Sequence, residues 1–99
     1  MSAYFILMQT VIDQQKYYEE YVSNVVPLLA KHKAETVVAD MAAKPLQGEP
    51  PEAVVVVRFP SEQAIRDFLD DPAYQPVLQV RLELTKNPHA VMAPEFRMP

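Results

Sequence analysis

Apolar residues along the chain gather into four runs that predict strands, separated by stretches with helical spacing. The clearest run is 53–59, in which four consecutive valines favour a pleated strand buried on both faces. Residues 3–11 form a second run that is nearly continuous in apolar side chains, so both of its faces are also expected to be covered. Residues 35–44 predict a strand with imperfect alternation, and 89–92 a short one that Pro94 limits to a sheet edge or a strand end.

The first stretch of helical spacing follows directly after residues 3–11. Asp13 offers an N-cap, and apolar side chains then recur along one broad helical face as far as Val26. Pro27 cannot donate a hydrogen bond to the residue four positions back, so the pattern predicts a kink or a restart of the helix there. Basic residues at 31–33 close the segment, because the negative end of the helix dipole favours cations.

Two further helices are predicted in the second half of the chain. Ser61 caps a helix that ends at Asp71, because a residue that precedes a proline avoids the α region. Residues 73–85 suit a third helix, although the pattern of 80–85 alone would also allow a strand. The Asn-Pro pair at 87–88 predicts a turn before the last strand.

This order of elements predicts a single α+β domain with a ferredoxin-like βαββαβ fold. A four-stranded antiparallel sheet would carry the helices on one face. The domain spans residues 1–99, with 95–99 expected to be a tail or an arm onto a partner. No further element remains to cover the second face of the sheet, although two strands look apolar on both faces. A second copy that packs sheet to sheet is the economical cover, so we expect a homodimer.

Composition and charge narrow the classes of function. A net charge of −4 without a Lys/Arg cluster argues against binding to nucleic acid or to an anionic membrane. The absence of cysteine excludes disulfides, zinc–thiolate sites and iron–sulfur clusters, and is compatible with a cytoplasmic location. A single glycine, Gly48, excludes a Walker loop and a G-x-G-x-x-G dinucleotide loop, and no cofactor is expected. The apolar segment 1–10 lacks a basic start and is too short for a signal peptide or a membrane span.

Two histidines are candidates for chemistry near neutral pH. His32 lies at a predicted helix end and, with Arg81, is a candidate catalytic residue. The structural alternative for His32 is that its ring bonds free carbonyls at the end of the helix. His89 has no partner of known proximity, and neither histidine has a carboxylate at ligand spacing, so no metal site is predicted. Asp40 is a further polar group in a strand, which an edge or loop position would also explain.

Tyrosines and arginines supply the candidates for ligand binding. Tyr17, Tyr18 and Tyr21 share one helical stripe, which either packs a core or lines the site of a flat hydrophobic molecule. Arg58 ends the valine-rich strand, and Arg81 follows a turn. Each arginine could bind a carboxylate ligand bidentately, or it could pair with an acidic side chain of the protein.

Residues 58–64 and 71–75 resemble motifs of the domain-of-unknown-function 1330 family, whose members are small proteins of the dimeric α+β barrel superfamily. The first motif is similar to that family's strand end and Phe-Pro-Ser helix start, and the second to its Pro-x-Tyr-Gln turn. A Tyr-x-x-Tyr pattern at 18–21 and a Pro-Leu-Leu-x-x-His pattern at 27–32 extend the resemblance over nearly the whole chain. The resemblance implies a dimeric ferredoxin-like barrel and implies no particular activity, because the family has no agreed one.

Arg81 also fits the resemblance, because it lies where the family often has an arginine after the Tyr-Gln turn. Elsewhere the chain departs from the family pattern. Glycines that are usual after the histidine and in the second strand are replaced by the residues at 33–35 and 40–42. The acidic residue that often precedes the Phe-Pro pair is here Arg58. These changes fall near the expected cleft.

Two hypotheses of function remain open. In the first, the protein is a dimeric scaffold that binds or turns over a small organic molecule in a cleft between the helices and the sheet. By analogy of fold, related barrels include cofactor-free monooxygenases. This hypothesis predicts an apolar pocket that contains a tyrosine and either His32 or Arg81. In the second, the protein is a non-catalytic dimerisation or protein-interaction module, which predicts a large sheet-to-sheet interface and no pocket with convergent polar groups.

Overall fold

The computed structural model describes residues 1–98, which form one antiparallel sheet and three helices. The strands are β1 Ala3–Val11, β2 Glu35–Asp40, β3 Ala53–Phe59 and β4 Thr85–Pro94, and the helices are α1 at 14–31, α2 Glu62–Asp70 and α3 Gln75–Glu83. The strand order is β2-β3-β1-β4, so β2 and β4 form the edges of the four-stranded sheet. This arrangement confirms the predicted α+β, ferredoxin-like fold.

The two faces of the sheet differ in cover. The odd-numbered residues of β1 from Ala3 to Gln9 are buried beneath the helices, whereas its even-numbered residues are half-buried on the other side. β3 repeats this alternation, with Phe59 buried on the helix side and Val54 and Val56 half-buried on the other side. A single protomer therefore leaves one face of the two apolar strands without cover.

We call this second side of the sheet the open face. Its side chains pair across the strands in register, and they are Tyr4, Ile6, Met8, Glu35, Val38, Asp40, Val54, Val56, Arg58, His89, Val91 and Ala93. The centre of the open face is apolar, and charged or polar groups lie towards its ends. Val91 is 59% exposed there, which is unusual for a valine in a strand.

The core lies between the sheet and the helices. Phe59, Phe68 and Tyr74 form a chain of aromatic contacts, with ring centroids 5.6 Å and 4.3 Å apart. Ser61 caps α2, because its hydroxyl accepts a hydrogen bond from the Ala64 N–H at 3.0 Å, as predicted. Burial of an aromatic side chain such as Phe68 contributes roughly 1.5–3 kcal/mol, so packing holds α2 on the sheet.

Helix α1 has three parts, namely an α-helical start at Gln14–Lys16, a π-helical segment at Tyr17–Val22 and an α-helical end at Ser23–Lys31. Asp13 caps the helix as predicted, by accepting a hydrogen bond from a backbone N–H at 3.1 Å. The predicted restart of the helix at Pro27 is wrong, because the helix continues through it. Pro27 and the residue four positions back are both exposed, so the carbonyl that lacks its usual donor can bond to water.

The irregularity of α1 lies in the π-helical segment instead. The Ser23 N–H donates to the carbonyl of Tyr18, five residues back. The hydroxyl of Ser23 donates to the carbonyl of Glu19, which would be the partner of its N–H in an α-helix. The side-chain amide of Asn24 donates to the carbonyl of Glu20 at 2.8 Å. Two short polar side chains thus satisfy carbonyls beside the wider turn, a role that hydrophobic periodicity does not register.

The C-terminus of α1 is closed by a Schellman motif. The N–H of Lys33 donates to the carbonyl of Ala30 at 3.0 Å, and the N–H of Ala34 donates to the carbonyl of Leu29 at 2.9 Å. Lys33 has a φ of +59°, in the left-handed region that favours glycine. The predicted helix end at 31–33 is confirmed.

Two segment boundaries differ from the predictions. β2 ends at Asp40 rather than at residue 44, because the Asp40 carboxylate accepts the Ala42 N–H at 2.9 Å and turns the chain out of the sheet. Residues 75–83 are helical, so the third helix is confirmed and the strand alternative for 80–85 is wrong over most of that segment. Apolar side chains in α3 face several directions, which is why the pattern alone left both readings open.

The predicted turn at 87–88 is also wrong, because both residues lie inside β4. The pairing of β4 with β1 shifts by one residue between Met8 and Thr10, which marks a β-bulge. Asn87 adopts a φ of +50° in this bulge. Pro88 is tolerated because β4 is an edge strand, one of the two positions predicted from Pro94. The strand runs over Thr85–Pro94 and is therefore longer than the predicted 89–92.

Candidate functional site

A cavity of about 120 Å³ lies between α1 and the part of the sheet formed by β2 and β3. Phe5, Val57 and Phe68 contribute to its inner wall. Tyr18 and Ala39 line it as well, and their exposure places them at its mouth. Among the lining residues within 1–98, the only polar side-chain groups are hydroxyls of tyrosine and threonine and one methionine sulfur, and none of these residues is charged.

The cavity exists because the helices do not cover β2. Every residue of β2 is exposed, including Thr36 and Ala39, which face the helix side and line the cavity. Their side chains are small, so they leave space beside the bulkier side chains of α1. The result is an apolar cleft that is open to solvent along one sheet edge, which is a common form of small-molecule site.

The π-helical segment of α1 brings three tyrosines to this cleft. Tyr17 and Tyr21 are buried, with ring centroids 5.1 Å apart, and Tyr18 is 51% exposed at the mouth. Tyr17 and Tyr18 meet edge to face at 6.2 Å. π-Helical turns are rare and are frequent at functional sites, which singles out this part of α1.

A buried polar chain leads from α3 to the cleft. The guanidinium of Arg81 donates to the Gln9 side-chain oxygen at 3.1 Å, and the Gln9 amide donates to the Tyr17 hydroxyl at 2.9 Å. All three side chains are buried. The Arg81 Nε has no hydrogen-bond partner, and the arginine forms no salt bridge within residues 1–98.

The buried tyrosines are held neutral by their surroundings. Burial raises the pKa of Tyr17 to about 12, although the hydrogen bond from Gln9 and the positive charge of Arg81 act in the opposite direction. Burial also raises the pKa of Tyr21 far above its usual range, and the hydroxyl of Tyr74, 3.3 Å away, adds to this effect. Both hydroxyls therefore keep their protons at neutral pH and remain available as hydrogen-bond donors.

His32 belongs to a separate cluster around Asp71. His32 Nε2 and Lys31 Nζ each lie 2.8 Å from Asp71 Oδ2, and the Ala73 N–H donates to Asp71 Oδ1 at 2.9 Å. These hydrogen bonds hold the pKa of the Asp71 carboxyl well below its usual range. The rings of His32 and Phe68 meet edge to face with centroids 5.8 Å apart, and Phe68 lines the cleft whereas His32 does not. The cluster ties the end of α1 to the turn between α2 and α3.

The remaining polar candidates lie away from the cleft. Arg58 on the open face donates to Glu35 at 2.7 Å, and this hydrogen bond raises the pKa of the guanidinium. His89 lies exposed on β4, where its Nδ1 is 2.9 Å from a backbone carbonyl. Asp40 ends β2 at the sheet edge. These positions match the structural alternatives of carboxylate pairing for Arg58 and an edge position for Asp40.

The predicted pocket is thus only partly assembled from the predicted residues. Tyr18 and Tyr21 line the cleft. His32 and Arg81 do not line it, although Arg81 reaches one of its tyrosines through Gln9.

Two residues of these polar networks were missed by the sequence reasoning. Gln9 lies in the apolar run of residues 3–11 and was not considered as a site residue. It is the one polar residue at the buried positions of β1 and is 0% exposed. That exception to the alternation was a usable signal. Asp71 was read only as a helix stop, and its contact with His32 lies 39 residues away along the chain, so no local pattern could have found it.

Residues 1–98 contain neither a cluster of metal-binding side chains nor a membrane-spanning helix. No group of three or more His, Cys, Asp or Glu side chains is arranged to hold a metal ion. None of the helices in this range combines the length and the apolar character needed to cross a membrane.

Several solved structures share this fold at low sequence identity. A protein of unknown function from Rhodopseudomonas palustris has a TM-score of 0.76 and 13% identity, with 98% of this chain and 84% of that chain covered. SnoaB, a cofactor-independent oxygenase from Streptomyces nogalater, has a TM-score of 0.65 and 13% identity, with 98% and 95% covered. A dimeric protein of unknown function and ferredoxin-like fold from Bacteroides fragilis has a TM-score of 0.66 and 11% identity, with 95% and 96% covered. At these identities the similarity shows the fold alone.

Sequence comparison identifies the family. No curated protein has a sequence that matches this chain. The family model described as "Domain of unknown function (DUF1330)" matches residues 2–93, which is nearly the whole chain. This match confirms the resemblance that the Phe-Pro-Ser and Pro-x-Tyr-Gln motifs carry. With its ferredoxin-like fold and its tyrosine-lined cleft, the chain belongs to the DUF1330 family.

Proposed function

We propose that the protein binds a small, planar organic molecule in the cleft between α1 and the sheet. The observation that carries this proposal is an apolar cavity whose lining residues include three tyrosines. Apolar walls with a few hydrogen-bonding groups are typical of small-molecule sites. A ligand with a localised charge, such as a carboxylate or an ammonium group, is disfavoured, because no ionised side chain within residues 1–98 lines the cavity to compensate its lost hydration.

The size of the cavity supports a ligand with one aromatic ring inside it. The cavity holds about 120 Å³. This is somewhat less than the roughly 150 Å³ of an apolar cavity that binds benzene. The open mouth of the cleft provides the remaining space. A larger molecule would place one ring against Tyr17 and Tyr21 and extend the rest through the mouth past Tyr18.

Turnover of the bound molecule is the enzymatic form of this proposal. It is supported by the similarity of fold to SnoaB, which is a cofactor-independent oxygenase, and by two buried tyrosine hydroxyls at the cleft. Similarity of fold carries little about chemistry, so binding is the part that we test first.

A ligand screen tests the proposal directly. We expect naphthoquinone and 4-nitroanisole to raise the melting temperature in a concentration-dependent manner, because a ligand that binds only the folded state stabilises it. Ala39→Phe fills the mouth and should abolish the shift. Ala42→Phe is the matched control, because Ala42 is also exposed and does not line the cavity. Equal shifts in the two variants, or no shift with any neutral aromatic compound in the native protein, would rule out the cleft as a binding site.

We further propose that two copies associate through their open faces to form a homodimer. This is supported by the apolar centre of the open face, and by the dimeric state of the Bacteroides fragilis relative of the same fold. If dimerisation alone were the role of the protein, the cleft would bind nothing, and this is the second candidate function. A cytoplasmic location and the absence of nucleic-acid binding remain predictions from composition.

Charge placed on the open face tests the dimer. Val56→Glu lies at the centre of the open face and should convert a dimer into a monomer in analytical ultracentrifugation. Glu62→Gln on the exposed side of α2 is the control and should leave the mass unchanged. A native protein that sediments as a monomer at high concentration would contradict the proposal.

A further inference from the structure

Arg81 is an unusual residue to bury in the core of so small a domain. It is 6% exposed, and no carboxylate in residues 1–98 pairs with it. Its Nε has no hydrogen-bond partner in that part of the chain either. Burying a charge without a counterion is costly, and an apolar side chain of similar size is often the more stable choice. The positive charge is therefore difficult to explain by stability alone.

The charge is connected to the cleft by two oriented hydrogen bonds. Because the Gln9 oxygen accepts from Arg81, its amide is the group that donates to the hydroxyl of Tyr17. The hydroxyl of Tyr17 acts as an acceptor in this chain, and its own proton has no acceptor in the described part of the protein. Tyr17 is also one of the residues that line the cavity, so a ligand oxygen that reaches its hydroxyl would be a suitable acceptor for that proton.

We propose that the cleft selects molecules with an ionisable hydroxyl on a planar ring or an enol, and that it binds them as the oxyanion. The hydroxyl of Tyr17 donates to the anionic oxygen, and Arg81 supplies the positive charge through Gln9. Tyr17 is the residue that contacts the ligand, and Gln9 and Arg81 are positioning residues. On binding, the O–H bond of the ligand breaks and its proton leaves to water, so one proton is released for each molecule bound as the anion.

A phenolic or enolic ligand fits better than a carboxylic acid. The negative charge of a phenolate spreads into its ring, which suits apolar walls with one hydrogen-bond donor, whereas a carboxylate concentrates charge on two oxygens that need direct cationic partners. The titratable groups that act on Tyr17 are Arg81 on α3, Tyr18 on α1 and Tyr74 before α3. Because burial raises the pKa of Tyr17 to about 12, Tyr17 keeps its proton and donates a hydrogen bond to the oxyanion of a more acidic ligand hydroxyl.

This inference rests on the proposed binding function, and one pair of probes separates the two. 4-Nitrophenol can ionise, and its absorbance reports whether the bound molecule is the phenol or the phenolate. Its methyl ether, 4-nitroanisole, has a similar shape and cannot ionise. The titration is done at a pH below the pKa of free 4-nitrophenol, where the free probe is mostly neutral. We expect bound 4-nitrophenol to show the phenolate spectrum and to bind roughly tenfold or more tightly than 4-nitroanisole, as a hydrogen bond to a charged group allows.

Four variants test the roles of the residues. Arg81→Met should remove the phenolate spectrum and lower the affinity for 4-nitrophenol far more than the affinity for 4-nitroanisole. Arg81→Lys keeps the charge and should retain part of the phenolate signal, which preserves the test if the Met variant folds poorly. Tyr17→Phe should show the same selective loss of affinity as Arg81→Met. Arg58→Met removes an arginine from the open face and should change nothing in the titration.

Each result of the titration supports or overturns the inference. If 4-nitrophenol binds as the neutral molecule with the affinity of 4-nitroanisole, the inference is overturned and the binding function stands. If the phenolate spectrum persists in Arg81→Met, the assignment of Arg81 is overturned. If neither probe binds to the native protein, both the inference and the proposed function are overturned.

Discussion

The two faces of the sheet use an arginine in opposite ways. On the helix side, Arg81 is buried without a carboxylate and reaches the cleft through a glutamine and a tyrosine. On the open face, Arg58 is partly exposed and pairs with Glu35 at 2.7 Å. The first arrangement costs stability, whereas the second is an ordinary surface pair of small energetic value. The comparison points to the helix side as the place where chemistry has been favoured over stability.

The two faces also differ in what completes them. The helix side is covered by its own chain except at the cleft, so a small molecule is enough to fill what remains. The open face has an uncovered apolar centre that spans several strands, which matches the size and shape of another sheet. We therefore expect changes on the helix side to act on folding and ligand binding, and changes on the open face to act on association.

The largest expected effect is on the helix side. Phe68→Ala removes a ring that contacts Phe59, Tyr74 and His32 and should lower the free energy of unfolding by about 3–5 kcal/mol, measured by urea denaturation. Val91→Ala on the open face should cost less than roughly 0.5 kcal/mol in dilute, monomeric protein. Similar losses for the two variants under these conditions would contradict the difference between the faces.

The next effect concerns the buried polar chain. Gln9→Leu leaves the Arg81 guanidinium without its acceptor and should lower the free energy of unfolding by roughly 2–3 kcal/mol. The double variant Gln9→Leu/Arg81→Met removes the buried charge as well, so we expect it to recover most of that loss. Urea denaturation of both variants measures the coupling, and purely additive losses would show that the two residues do not depend on each other.

A third effect should appear only in acid. The pKa of the Asp71 carboxyl is lowered in the folded protein from an ordinary value of 3.8, mainly by its hydrogen bonds with Lys31 and His32. A lowered pKa contributes stability that is present above the unfolded-state pKa and is lost as the pH falls below it. In thermal unfolding measured against pH, Asp71→Asn should be less stable at neutral pH and lose less stability below about pH 4. Parallel curves for the two proteins would disprove this role of Asp71.

The smallest effect lies where the chain passes from the helices to the edge of the sheet. Lys33 has a φ of +59°, so Lys33→Gly should raise the free energy of unfolding by about 0.5–1 kcal/mol, as measured by thermal denaturation. Ala30→Gly in the same helix is the matched control, and it should lower the free energy by about 1 kcal/mol. If both variants changed the free energy of unfolding in the same direction, the left-handed conformation of Lys33 would not be the cause of the effect.

Much of the fold was predictable because its signals are local. Asp13 and Ser61 cap helices, Asp71 ends one, and the valines of β3 form a strand as expected. The errors arose where a neighbouring strand or water, rather than the local sequence, determines the conformation of the backbone. The pair at 87–88 was expected to turn the chain, yet pairing with β1 absorbs it as a bulge.

The site was less predictable than the fold. The tyrosine stripe was recognised, but its alternatives of core packing and ligand binding turned out to coexist, since Tyr17 and Tyr21 are buried and also line the cavity. The π-helical segment orients these rings. The side chains of Ser23 and Asn24 donate hydrogen bonds to carbonyls of this segment, and their polar character alone does not predict this role.

The amino-acid sequence alone specifies the order of the elements, the apolar character of both faces of β1 and β3, and the lack of cover for the open face. These properties depend on neighbours in the chain and on alternation with a short period. The cleft and the chain from Arg81 to Tyr17 depend on residues that are far apart, since Arg81 and Gln9 are separated by 72 positions. Their meeting is set by how α1 and α3 pack on β1, and no local pattern contains that distance.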